Sequence, residues 1–373
     1  MSDHPIPPFT PLATGLPPTV PFVGPETQER ARGAPFAARI GANESGFGPS
    51  PAAVEALRAV AGDVWMYGDP EGHDLRHALA AAHGVPAECI VVGEGIDGLL
   101  GLTVRLFAEP GAAVVTSAGA YPTFNYHVAG FGARLVTVPY AEDAEDPEAL
   151  AAAAQEHGAR LVYFANPDNP MGSWHGADRV AALLDALPEG CLLCLDEAYV
   201  ELAPEGTALP WDVTDPRLVR FRTFSKAQGL AGLRVGYLVA HPTLAAGYNR
   251  IRNHFGVGRL AQAAALASLG DTAHLVRVQQ AVAASRARIG AIAAEAGLTA
   301  LPSATNFVAI DCGRDGAFAR AVLQGLLERG IFVRMPGVAP LDRCIRVSCG
   351  PKADMVAFAV AFPQALAAAT EVA

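Results

Sequence analysis

The chain has 373 residues, 51% of them hydrophobic and 17% charged, which is more apolar material than one typical core holds and predicts two domains or a large domain with an appendage. A net charge of −10 and a pI near 5.5 argue against a broad electrostatic footprint for nucleic acid or an anionic membrane, and leave room for a local basic pocket. No apolar run reaches the roughly 18 residues that a bilayer span needs, so a soluble protein is expected.

The first 25 residues carry eight prolines and no basic stretch followed by an apolar one, so they read as an extended arm and not as a secretory signal. From about residue 45 to 270, β-rich runs alternate with segments of helical period. The expected strands are CIVVG (89–93), AAVVTS (112–117), ARLVTVP (133–139), RLVYFAN (160–166), CLLCLDE (191–197), LVRFRTF (218–224) and VGYLVA (235–240). Amphipathic stretches such as DPEALAAAAQEH and GADRVAALLDAL lie between them, which predicts a largely parallel sheet covered on both faces. Cys191 and Cys194 form the one close cysteine pair, but with no second pair at metal spacing they read as part of a buried strand, and a cytoplasmic location follows. The arginines of RIRNHFGVGR (250–259) read as a helix face near a cofactor or a dimer interface.

After residue 270 the pattern changes to an alanine-rich helix (273–296), TNFVAIDC, the helix GAFARAVLQGLLERG, the strands IFVRM and CIRVSCG, and a closing helix over 352–369. This predicts an α+β module joined by the N-terminal segment. The expected division is an arm (1–44), a large domain (45–270) and a small domain (271–373).

Parallel sheets bind ligands beyond the carboxyl ends of their strands. There this chain places GEGID, SAGAYPTF, NPDNP, DEAY and TFSK, a polar set that a plain connecting loop does not require. Lys226 follows one strand and Asp196 ends another, so the two can be neighbours across the sheet. Such a pair suits pyridoxal phosphate: the amine forms a Schiff base with the aldehyde, and the carboxylate keeps the pyridine nitrogen protonated. Taken alone, Asp196 is equally well read as a strand-end aspartate. GEGIDGLL puts Gly95, Ile96 and Asp97 at a helix start, where free N–H groups and the helix dipole favour an anion. GEGIDG superficially suggests a dinucleotide GxGxxG loop, but a phosphate cup explains its glycines, and the ten histidines contain no HExxH, so no metal is expected.

Taken together and in this order, NPDNPMG (166–172), LDEAY (195–199) and TFSKAQGLAGLR (223–234) closely resemble the class I/II aminotransferases of fold type I. Within them, the chain is similar to the histidinol-phosphate aminotransferase group from GANESGFGPSP near residue 41 through CIRVSCG at 350. The resemblance implies an α/β fold, with a large domain built on a mostly parallel seven-stranded sheet and a smaller α+β domain. It implies that Lys226 carries pyridoxal 5'-phosphate as an internal aldimine and then moves the proton between substrate Cα and cofactor C4′. Asn169 and Tyr199 would donate to the cofactor's phenolic oxygen, and Tyr121 would stack on its ring. Thr223, Ser225 and Arg234 would complete the phosphate cup begun by Gly95, Ile96 and Asp97. Tyr67 would reach the cofactor of the neighbouring subunit in a homodimer. Arg346 matches the arginine that binds a substrate carboxylate, Arg334 the position that meets the substrate phosphate, and Asn43 the substrate side of the pocket. Asn306 is a weaker candidate for the domain junction, and both Asn43 and Asn306 read, on the residues alone, more as turn or capping residues.

The implied reaction is ping-pong transamination between a small-molecule amino donor and a 2-oxo acid, with histidinol phosphate and 2-oxoglutarate as the pair. Met171 stands where the group commonly has threonine, and PFVGPE replaces its usual PYxPG-like arm, so an aminotransferase for another amino acid, such as an aromatic one, is an alternative. A decarboxylase or lyase on the same fold, such as threonine-phosphate decarboxylase, is a second. A cofactor-dependent DNA-binding regulator ranks last, because only about 40 residues precede the resemblance and the chain is acidic.

Overall fold

The seven strands expected between residues 89 and 240 form one sheet: β1 (Ile90–Gly93), β2 (Ala113–Ser117), β3 (Arg134–Val138), β4 (Leu161–Ala165), β5 (Leu192–Asp196), β6 (Leu218–Thr223) and β7 (Gly236–Ala240). In this computed structural model, which describes residues 7–17 and 23–372, their order is β1-β7-β6-β5-β4-β2-β3. β7 runs antiparallel to both neighbours and every other pairing is parallel. Strands β2, β4, β5, β6 and β7 are buried at every position, as a sheet with helices on both faces requires. Leu99, Leu100, Val104 and Phe124 pack on Val114, Tyr163 and Phe221 on one face. Leu150, Ala154, Val180 and Leu183 pack on Val115, Val162 and Leu193 on the other. Cys191 and Cys194 are buried in this core, and burial pushes the Cys191 thiol up to about 12, so the pair is inert packing.

Local chemistry sets the helix ends. Asp146 accepts from the backbone N–H groups of Glu148 and Ala149, both at 3.1 Å, and starts helix Pro147–His157. Helix Gly95–Phe107 differs: it starts after Glu94 with no side-chain cap, so its first-turn N–H groups stay open.

Beyond residue 270, β8 (Phe307–Asp311) pairs antiparallel with β9 (Cys344–Ser348) and with Thr299–Ala300. From the N-terminal segment, Ala38–Arg39 pairs in parallel with Ile331–Phe332. Helices Thr272–Glu295, Gly316–Glu328 and Lys352–Val372 cover this module around Val282, Ile289, Val322, Phe358 and Phe362.

Four expectations are corrected. The strand expected at IFVRM is regular only over Ile331–Phe332, which pairs with the two residues Ala38–Arg39, and Arg334 forms an isolated bridge with Arg346. The arm is not extended throughout: Pro11–Thr14 and Pro25–Arg32 are helical, with proline at a helix start where its missing N–H is no loss. Pro21 and Phe22 of PFVGPE lie outside the described residues. Residues 249–258 are irregular and no helix face forms there; a Cβ on Gly256 would overlap the Glu94 carboxylate, and Asn253 donates to that carboxylate at 3.0 Å. Finally, Lys352–Glu371 is long and apolar enough by composition to cross a membrane, with mean hydropathy 1.4. Its Met355, Phe358, Phe362, Ala365 and Ala369 are nevertheless buried in the core of this module, as suits an alanine-rich packing helix.

Candidate active site

The carboxyl ends of β2, β4, β5 and β6, the start of helix Gly95–Phe107, loop 42–44 and segment 334–338 enclose a cavity of about 610 Å³. Asn43, Ile96, Asp97, Tyr121, Asn169, Asp196, Tyr199, Thr223, Ser225, Lys226, Arg234, Arg334 and Arg346 all line it. Residues far apart in the chain meet there because parallel strands deliver all their carboxyl ends to one edge.

Lys226 follows β6, and its Nζ donates to the Asn43 carbonyl at 3.0 Å. Burial, followed by the nearby Arg346 guanidinium, pulls its amine down to about 8. Asp196 ends β5 and accepts from the Tyr163 hydroxyl at 2.7 Å and the Ala198 N–H at 3.0 Å. Burial pushes its carboxyl up to about 6 against those two bonds, so the floor of the cavity holds a carboxylate that gains from meeting a cation. Its sequence neighbour Glu197 lies on the far side of the strand, paired with Arg220 at 2.8 Å and Arg222 at 2.9 Å.

Tyr199 accepts from Asn43 Nδ2 at 3.1 Å, which leaves its own hydroxyl hydrogen to donate elsewhere. Asn43 is buried with φ +55, its Oδ1 accepts from Ser348 and its carbonyl also accepts from Asn306 Nδ2 at 3.0 Å. The two asparagines are therefore a buried junction holding loop 42–44 against Lys226, which corrects the reading of both as simple turn or capping residues. Asn169 sits in a loop closed by mutual bonds between Asn166 and His175, and its Oδ1 accepts from Arg346 Nη1. The Arg346 guanidinium is buried, which lowers it to about 10, and its Nε has no partner. Arg334 is its antiparallel bridge partner, so both cations enter the cavity from adjacent backbone. Arg334 Nη2 also donates to the Val23 carbonyl at 3.0 Å, which brings the arm to the cavity rim.

On the opposite wall, Arg234 has φ +52 and donates to Ser225 Oγ at 3.4 Å and to the Ala231 carbonyl at 3.1 Å. Gly95 does not line the cavity, but its missing side chain matters: with φ +74, a Cβ there would lie 2.5 Å from Arg234 Nη2. The guanidinium thus rests against the open N-terminus of helix Gly95–Phe107, concentrating N–H donors and positive charge in one place. Ser225 is oriented by its own N–H, which bonds Thr223 Oγ1 at 3.0 Å.

Tyr67 is not brought to this cavity. It is 77% exposed and packs against Phe255 with ring centroids 4.7 Å apart. Met171 does not line the cavity either; it is buried with Ala309, Leu341 and Cys344, so this departure from the resemblance lies behind the pocket wall and not on it. Sequence reasoning missed Tyr163, whose one visible signal was a hydroxyl in an otherwise apolar strand, which needs a buried partner. It also missed Asn125 and Glu44, both on the cavity wall.

The family profile described as aminotransferase class I and II matches residues 39–362. The histidinol-phosphate aminotransferase 2 of Ralstonia nicotianae is 40% identical over 334 residues, 89% of each chain. The histidinol-phosphate aminotransferase 1 of Nitrosococcus oceani is 38% identical over 347 residues, 92% of this chain and 93% of its own. Among solved structures, the histidinol-phosphate aminotransferase of Sinorhizobium meliloti in complex with pyridoxal-5'-phosphate is 55% identical and superposes with a TM-score of 0.95, covering 100% of both chains. With the cavity built as described and the match spanning most of its length, the chain belongs to the class I and II aminotransferases.

Proposed function

We propose that the chain is a pyridoxal-phosphate-dependent aminotransferase that moves the amino group of histidinol phosphate to 2-oxoglutarate. The observation that carries this reading is the pair Arg334 and Arg346, bridge partners that enter the same cavity as Lys226. Both proposed substrates are anionic, one through a phosphate and the other through two carboxylates, so the same two cations serve both halves of the reaction.

The residues fit the cofactor. Arg234 lies against the uncapped helix start at Gly95, a site for a phosphate, and the buried Asp196 lies on the cavity floor, a site for a protonated ring nitrogen. When bound, pyridoxal phosphate supplies an electron sink for the pair released at the substrate α-carbon. Asp196 holds the proton on the ring nitrogen, and Tyr163 and Ala198 keep its carboxylate aimed. Tyr199 and Asn169 would donate to the phenolic oxygen, and Tyr121 would cover the ring. Lys226 would hold the aldehyde and, as a free amine, would be the base for the proton on the substrate α-carbon. Arg346 orients the substrate, with Asn169 fixing its guanidinium.

We place this chemistry in a cytoplasmic homodimer in which Tyr67 reaches the neighbouring site; the exposed Tyr67 and Phe255 rings suit such a contact. We also divide the chain into the arm, large and small domains given above, supported by the separate cores around Leu193 and Phe358.

Arg334→Gln tests the substrate. The variant should raise KM for histidinol phosphate by about 10- to 100-fold, the worth of a charge-assisted bond, and leave KM for unphosphorylated histidinol nearly unchanged. Equal effects on both amines would reject phosphate recognition at Arg334. A pH series on the apoprotein tests the amine: recombination with pyridoxal phosphate needs neutral Lys226, so its rate should level off above about pH 8 and fall about tenfold per unit below it. A plateau extending down to pH 6 would contradict this assignment.

A further inference from the structure

Helix Gly95–Phe107 carries an anion of its own where the cofactor phosphate is expected. Asp97 lies in its first turn and lines the cavity. Left facing the helix start, its carboxylate would repel a phosphate and compete for the same N–H groups. The side chain is turned aside: His127 Nε2 donates to Asp97 Oδ1 at 2.9 Å, across to helix Pro122–Gly130. Room for the imidazole comes from Gly101, one turn further along, where a Cβ would lie 2.7 Å from His127 Cε1 and 2.8 Å from Nδ1. Any other residue at that position would push the imidazole off Asp97.

We propose that His127 is a positioning residue for cofactor retention: by holding the Asp97 carboxylate away from the start of helix Gly95–Phe107, it keeps those N–H groups for the phosphate. This inference rests on the phosphate cup proposed above. His127 does not line the cavity, and its imidazole bonds Asp97, which does. Gly101 belongs to the same arrangement, since its small size is what lets the pair form.

The test follows the loss of pyridoxal phosphate from purified holoenzyme after dilution, read by cofactor absorbance. His127→Ala should speed the loss about fivefold, the scale of a charge effect at a helix end. Adding Asp97→Asn to that variant should return the rate to near wild type, because the competing charge is gone. A double variant that loses cofactor as fast as His127→Ala would assign His127 to packing and overturn the proposal, as would a wild-type rate for His127→Ala. If His127→Ala does not fold, Asp97→Asn alone decides: loss no faster than wild type supports the proposal, and faster loss overturns it. Arg234→Gln is the control for the cup itself. If that change leaves retention intact, the phosphate reading has failed, which is distinct from failure of the pair.

Discussion

Lys226→Ala is expected to lower turnover by at least about 10⁴-fold, because both roles proposed for this amine, anchoring the aldehyde and moving the α-carbon proton, would be lost. No other lysine lines the cavity, so no neighbour can take over either role. The fold should survive. Lys226 hydrogen-bonds the Asn43 carbonyl and lies outside the apolar clusters, and Asn43 keeps its bonds to Tyr199 and Ser348. Far-UV circular dichroism and thermal melting of the variant apoprotein should therefore match the wild-type apoprotein. Loss of activity with a wild-type melt assigns Lys226 to chemistry; normal turnover would remove it from the mechanism.

Asp196→Asn should cost about 10²- to 10³-fold in turnover, the usual scale for removing one preorganised electrostatic contact to a charge that stabilises the transition state. The amide has the size of the carboxylate and can keep the bonds to Tyr163 and Ala198, but it cannot hold a proton on a ring nitrogen. Asp196→Glu should retain more activity than Asp196→Asn, because charge and not shape is what the ring nitrogen requires. The two are compared by kcat with histidinol phosphate and 2-oxoglutarate. Asparagine outperforming glutamate would show that the position acts by packing.

The sheet was legible because most of its strands are short, mainly apolar runs rich in Val, Leu, Phe and Cys between turn signals, the pattern of a parallel sheet buried on both faces. Each expected strand from 89 to 240 lies within one or two residues of the observed one. Much of the cavity followed, since the polar residues just after those runs are the ones the fold gathers. What stayed hidden depends on distant partners. Tyr163 meets Asp196 across 33 residues and His127 meets Asp97 across 30, and nothing in the local pattern announces either bond. Asn43 looked like a turn residue because its backbone is one; its buried bonds to Tyr199 and Ser348 exist only once the two sheets approach. The irregular segment 249–258 was misread because arginine spacing resembles a helix face, while Gly256 and Asn253 instead fit the chain against Glu94.

Transfer of the amino group of histidinol phosphate in this cavity can be followed in a single half-reaction. The most direct measurement mixes purified holoenzyme with histidinol phosphate, without an acceptor, and follows the cofactor absorption together with the appearance of the ketone product. One ketone should form per site, with a shift of the cofactor band and its return on adding 2-oxoglutarate. A cofactor band that shifts with glutamate but not with histidinol phosphate would contradict the substrate assignment while keeping the aminotransferase.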